Sequence, residues 1–175
     1  MFGQFKHLGA LQATASSQTV DIDAAGNIAL AAVTSDAALT IDATNSGTVT
    51  CNGNPQSEQG TVAITAAGAV TTKGTIQATA SSQTITIQAG GASTIGDSGE
   101  TDDVTAHGNV SVTTTSGALT PNGDIPSTAG NVVLDSAAGL DTNQPISATS
   151  GTVTMTADGV TTIDAAVTCD GHLQI

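Results

Sequence analysis

The sequence lacks the side chains on which compact globular cores usually depend. It contains no Trp, no Tyr and no Arg, and its two Phe residues both lie within the first five positions. Globular cores take much of their buried area from Leu and aromatic side chains. The apolar side chains of this chain must therefore be small and evenly spread, which favours a narrow, repetitive structure over a compact globule.

Positive charge is also scarce. Lys6 and Lys73 are the two Lys residues, and the formal net charge is −13 although only 10% of the residues are charged. Nucleic acids and anionic membrane surfaces are both bound through Lys and Arg. We therefore expect neither as a partner. Membrane insertion is not expected either, because no apolar run reaches membrane-spanning length.

The sequence does contain an internal repeat. The heptapeptide Ala-Thr-Ala-Ser-Ser-Gln-Thr occurs at 13–19 and again at 78–84, and a second motif recurs along the chain with its first apolar residues 19 to 25 positions apart. These marker residues are Val20, Leu39, Val62, Ile85, Val110, Val132, Val153 and Leu173. A regular period of this length is typical of a solenoid, in which each repeat packs on its neighbours.

Within each repeat, apolar and polar residues alternate. The pairs Val20/Ile22 and Ile28/Leu30 are examples, and such alternation is typical of half-buried strands, which β-branched residues favour. No segment has the pattern of a crossover helix. The sequence therefore predicts an all-β fold over 13–175: a parallel β-helix (β-solenoid) of about eight coils of about 22 residues, with two to three short strands per coil.

Some features interrupt the regular pattern. The segments 52–59 and 96–103 depart from the period and are expected to form loops outside the rod. Tight corners with positive φ are expected at glycines that follow strands. These are Gly26, Gly68, Gly139 and Gly159. An antiparallel sandwich is the alternative fold, but it would need hairpin turns such as Asn-Gly between neighbouring strands, and Asn-Gly occurs only twice.

The two ends of the chain are the candidate assembly regions. Residues 1–12 are interpreted as a cap over the first coil or a docking segment for a neighbouring subunit, because their apolar residues lie three positions apart, as in one short amphipathic turn. These are Phe2, Phe5, Leu8 and Leu11. At the other end, Leu173 and Ile175 continue the strand pattern to the last residue without a cap. We expect a fragment, or an open edge that pairs with another chain.

The cysteines and acidic residues offer weaker candidates. Cys51 and Cys169 lie more than five coils apart, too far for a disulfide within one chain, so they are either buried free thiols or form an intermolecular disulfide. Two groups of acidic residues are candidate calcium sites, because carboxylate oxygens bind calcium. They are Asp21 with Asp23, and Glu100 with Asp102 and Asp103. Solvated charge is the simpler interpretation, and no other cofactor and no catalytic residue is predicted.

Repeats of the form Gly-Thr-Val-x-Ile-Thr-Ala-x-Gly resemble the shafts of filamentous-haemagglutinin-type adhesins and related bacterial surface β-helix proteins. The resemblance covers nearly all of 13–175 and is one of repeat style. It implies a right-handed β-helix, export, and a role in adhesion or surface structure, with a host or surface glycan as the unidentified ligand. The family's N-terminal secretion domain is not recognisable, so no receptor-binding residue is carried over.

Three functions follow from this fold. The first is a non-enzymatic, extracellular or cell-surface stalk, or a subunit of a filament, sheath or surface layer that stacks end to end. The second is an ice-binding solenoid, with Thr152, Thr154 and Thr156 as the best threonine array. The third, a polysaccharide-acting enzyme, is disfavoured because Arg and the aromatic platforms for sugars are missing.

Overall fold

The structure is a parallel β-solenoid. The computed structural model describes residues 5–6, 9–97 and 104–175. These residues form three parallel sheets of eight strands each, and the chain visits the three sheets in strict rotation. The predicted all-β parallel β-helix is therefore confirmed, with three strands in each coil.

The strands of sheets 1 and 2 have three residues and those of sheet 3 have five, except that β1 and β24 have two residues each. Sheet 1 contains β1 (Phe5–Lys6), β4 (Ile28–Leu30), β7 (Val49–Cys51), β10 (Val70–Thr72), β13 (Ser93–Ile95), β16 (Leu119–Pro121), β19 (Leu140–Thr142) and β22 (Thr161–Ile163). Sheet 2 contains β2 (Leu11–Ala13), β5 (Val33–Ser35), β8 (Pro55–Ser57), β11 (Ile76–Ala78), β14 (Val104–Ala106), β17 (Ile125–Ser127), β20 (Ile146–Ala148) and β23 (Val167–Cys169). Sheet 3 contains β3 (Val20–Ala24), β6 (Leu39–Ala43), β9 (Val62–Ala66), β12 (Ile85–Ala89), β15 (Val110–Thr114), β18 (Val132–Ser136), β21 (Val153–Ala157) and β24 (Leu173–Gln174).

The marker residues of the repeat stack directly on one another in sheet 3. Leu39 pairs with Val20 on one side and with Val62 on the other. The same register continues to the last coil, where Val153 pairs with Leu173. Alternate residues of each strand point inward, so the markers form an apolar ladder, and those from Leu39 to Val153 are fully enclosed.

Small hydroxyl side chains also face the interior. Ser127 at the end of β17 is buried, and its Oγ donates to Gly108 O at 2.7 Å and accepts from Gly130 N at 3.0 Å. Such a hydroxyl satisfies backbone groups of two coils at a corner. Thr142 Oγ1, at the end of β19, is buried without a hydrogen-bond partner.

The prediction of positive φ at strand-following glycines is wrong. Among the described residues, Gly96 is the glycine with a positive φ (84°), and the other positive values belong to side-chain-bearing residues. These are Ser17, Asn45, Ser46 and Ser82. At Gly68, glycine is required for a different reason: a Cβ there would lie 2.9 Å from Gly47 O, in the coil before it. Close approach of neighbouring backbones, rather than turn geometry, excludes a side chain there.

The expected loop at 52–59 is also wrong. This segment contains β8, which pairs with β5 and with β11. Pro55 is the first residue of β8, a position at which a strand tolerates proline. Of the second expected loop, 96–103, residues 98–103 lie outside the described residues.

The N-terminal segment does not form the expected amphipathic turn at the positions that the structure describes. Phe5 belongs to β1 and Leu11 to β2, and these strands pair with β4 and β5. Phe2 and Leu8 lie outside the described residues. The capping or docking role of 1–12 stays a prediction. The part of the chain described here contains no helix with the length and apolarity needed to cross a membrane.

Candidate functional surfaces

Outward-facing side chains form rows along the rod. The central residue of each three-residue strand, and the second and fourth residues of each five-residue strand, face away from the core. Because paired strands lie about 4.8 Å apart, equivalent residues repeat at that spacing. Any ligand or partner that contacts the side of the rod meets such rows.

The most uniform row lies on sheet 1. Thr50, Thr71, Thr94 and Thr120 occupy consecutive places in it, and all four are half-buried. This row was not predicted from the sequence, because the repeat is most regular in the longer strands of sheet 3. Aligning the middle residues of the second strand in each repeat would have found it.

The threonine array predicted on sheet 3 is confined to one coil. Thr154 and Thr156 face outward on β21, and Thr152 directly precedes that strand. Their neighbours in β18 are Val133 and Asp135. The array therefore does not continue as a row along the rod.

The acidic residues predicted to hold calcium are only partly described. Asp21 and Asp23 are exposed on β3, and Asp23 pairs in register with Asp42 of β6. Glu100, Asp102 and Asp103 lie outside the described residues. Within the described ranges, no three His, Cys, Asp or Glu side chains are grouped so that they could hold a metal ion. Calcium binding stays a prediction.

The two cysteines have different environments. Both are free, and Cys51 is fully buried in sheet 1. Burial raises the pKa of the Cys51 thiol to about 12, so this thiol stays protonated and unreactive at neutral pH. Cys169 is half-buried in the last complete coil. An intermolecular disulfide stays a prediction, and burial restricts it to Cys169.

The two ends of the solenoid differ in how well their apolar residues are covered. At the N-terminal end, Val20 and Ile22 are only 8% and 6% exposed, whereas Phe5 is 37% exposed. At the C-terminal end, Leu173 is 41%, Ile175 65% and Val160 77% exposed. The outermost strands at both ends, β1, β2 and β3 and also β22, β23 and β24, each have one neighbour in their sheet. The two ends therefore differ in the exposure of their apolar side chains and not in the number of strand edges.

No protein-family model matches this chain, and no curated protein or solved structure matches it either. The structure shows a parallel β-solenoid built from repeats. The resemblance to bacterial surface adhesin shafts stays a prediction.

Proposed function

We propose that the chain is a non-enzymatic structural or adhesive rod that acts outside the cell or at its surface. It serves as a stalk, or as a subunit of a filament, sheath or surface layer. The observation that carries this proposal is the stack of coils, in which the strands of all three sheets pair in parallel from one coil to the next along the rod. Solenoid coils are stabilised by their neighbours, and open edges pair with other strands.

End-to-end stacking has a defined register. Leu173 occupies the same place in sheet 3 as Val20, and Val167 occupies the same place in sheet 2 as Leu11. A second copy that continues the order of the coils would put Val20 over Leu173 and Leu11 over Val167. Because Val20 is only 8% exposed in the single chain, this junction requires the N-terminal end to rearrange so that Val20 becomes accessible.

The composition supports a location outside the cell. A chain with two Lys and no Arg offers trypsin-like proteases almost no cleavage sites. The absence of Arg, Trp and Tyr also weighs against polysaccharide cleavage, which an assay for newly formed reducing ends would detect.

Electron microscopy and analytical ultracentrifugation over a range of protein concentrations test the stacking. We expect rods that lengthen with concentration. Leu173→Asp should abolish the growth, because it places a charge on the apolar ladder at the junction. Thr168→Asp is the matched control, since it puts the same charge on the outer face of the same coil. A wild-type protein that stays monomeric at every concentration would show that the stacking is wrong.

Ice binding is the second candidate, and the threonine row on sheet 1 is the observation that favours it. Four stacked threonines present hydroxyl and methyl groups at a regular spacing of about 4.8 Å. Thermal hysteresis measured on the wild type and on Thr94→Lys tests this function. A freezing point without hysteresis in the wild type would remove it.

A further inference from the structure

The corners that connect sheet 3 to sheet 1 differ in length. Corners 67–69 and 90–92 have three residues each, whereas 44–48 has five and 115–118 has four. Because the coils stack in chain order, the two longer corners stand on either side of the two short ones. Residues of all four corners line one recess of about 440 Å³ on the side of the rod.

The floor of this recess consists of small residues. Its two corners read Ala-Gly-Ala at 67–69 and Gly-Gly-Ala at 90–92. A Cβ at Gly90 would lie 2.0 Å from Ala67 O, so the two coils touch at a point where only glycine fits. The Ala67 methyl group is exposed in the recess. The recess therefore has a shallow apolar floor that a flat ligand can approach closely.

One wall of the recess is a row of polar side chains. Asp42, Thr65 and Gln88 are paired in register on β6, β9 and β12. None of the three side chains has a hydrogen bond or ion pair to another described residue. Because neighbouring strands lie about 4.8 Å apart, the backbones that carry these carboxylate, hydroxyl and amide groups repeat at that spacing along the rod. They are available to a ligand that lies parallel to the rod axis.

The chemistry of the recess restricts the ligand. A carboxylate only accepts hydrogen bonds, whereas a hydroxyl and an amide both donate and accept, and this combination suits a ligand with several hydroxyl groups. Asp42 and the net charge of −13 disfavour anions. A peptide cannot add as a strand here, because β9 and β12 are paired on both sides. The volume is that of a small-molecule site.

We propose that this recess binds a short, neutral oligosaccharide. One pyranose ring lies over Ala67 and Gly90, and hydroxyls of the ligand hydrogen-bond to Asp42, Thr65 and Gln88. A pyranose ring is about as long as the step between coils, so successive rings of a linear glycan follow the polar row. The inference rests on the adhesive part of the proposed function. Without an aromatic platform each site is weak, and a filament that repeats it gains avidity.

NMR titration of the ¹⁵N-labelled full chain tests the site. Cellotetraose, maltotetraose and chitotetraose are added separately at millimolar concentrations. We expect at least one of them to shift the amide signals of Thr65, Ala67 and Gln88 in a saturable way. If the wild type assembles, the Leu173→Asp chain is used instead, so that failure of stacking does not affect the binding result.

Two pairs of variants locate the binding. Ala67→Leu fills the recess and should abolish binding, whereas Ala137→Leu, at the equivalent corner position after β18, should leave it unchanged. Thr65→Val removes one hydroxyl and should weaken binding by roughly threefold to tenfold. Thr156→Val, at the equivalent place in β21, should not weaken it.

Three results would overturn the proposal. The first is the absence of shifts at these residues with all three sugars. The second is equal binding of an acidic tetragalacturonide, since the recess is argued to reject anions. The third is binding of spermidine at Asp42 without binding of any sugar, which would make this a site for organic cations.

Discussion

At the scale of single residues, glycine marks the places where neighbouring coils touch. A Cβ added at Gly90 would lie 2.0 Å from Ala67 O, whereas a Cβ added at Gly139 would have Val160 O as its nearest atom, at 3.2 Å. Neither glycine has a positive φ. The difference between them is therefore one of space between coils and not of backbone conformation.

This difference predicts that alanine is tolerated at Gly139 and not at Gly90. Gly90→Ala forces two coils apart and should lower the free energy of unfolding by about 3 kcal/mol or more. The new methyl group would press on a backbone oxygen, which cannot move aside as a flexible side chain could. Gly139→Ala should change it by less than about 1 kcal/mol. Urea unfolding followed by circular dichroism measures both. Equal effects of the two substitutions would contradict the close-contact explanation.

Residue-level expectations succeeded where they depended on side-chain alternation and failed where they depended on the neighbouring coil. Val20 and Ile22 face the core as their alternation predicts. The role of Gly68 was misread, because a contact with Gly47 cannot be seen in a local turn pattern. Cys51 is buried because its position in β7 faces inward, which its apolar place in the strand predicts.

At the scale of elements, the heptapeptide that occurs twice forms the same turn at both places, and a different side chain accepts the hydrogen bond of its serine amide each time. Ser17 and Ser82 both have a φ of 63°. The Ser17 amide donates to the Asp36 carboxylate of the next coil, whereas the Ser82 amide donates to His107 Nδ1 at 3.1 Å. A repeated sequence therefore fixes the turn, and the following coil supplies whichever acceptor it contains.

The two acceptor side chains, Asp36 and His107, should be interchangeable. His107→Ala leaves the Ser82 amide without its side-chain acceptor and should cost about 1 kcal/mol. His107→Asp supplies the carboxylate that Asp36 provides at the first turn, and it should recover most of that loss. Thermal unfolding of the three proteins compares them. An alanine variant as stable as the wild type would show that the cap contributes nothing.

The strands of sheet 3 could be predicted because each of them before β24 has five residues with two or three apolar positions in alternation. β8 could not be predicted, because Pro55 and its polar neighbours obscure the alternation of apolar residues and its strand conformation depends on pairing with β5 and β11.

The recess could not be predicted for a related reason. The length difference between corners 44–48 and 67–69 matters only when the coils are stacked.

At the scale of the whole molecule, the account depends on the vertical stacking of coils. The end surface at Leu173, the polar row from Asp42 to Gln88 and the threonine row on sheet 1 all exist because residues some twenty positions apart become neighbours. The ends differ because Val20 is nearly covered while Leu173 is not.

Methyl–methyl nuclear Overhauser effects between isoleucines test that stacking most directly. Ile64 pairs with Ile41 on one side and with Ile87 on the other. With the isoleucine δ1 methyl groups labelled, the account predicts strong cross-peaks from Ile64 to both neighbours and a much weaker one between Ile41 and Ile87, which lie two coil steps apart. Missing cross-peaks from Ile64 to its two neighbours, or a strong direct one between Ile41 and Ile87, would contradict the account.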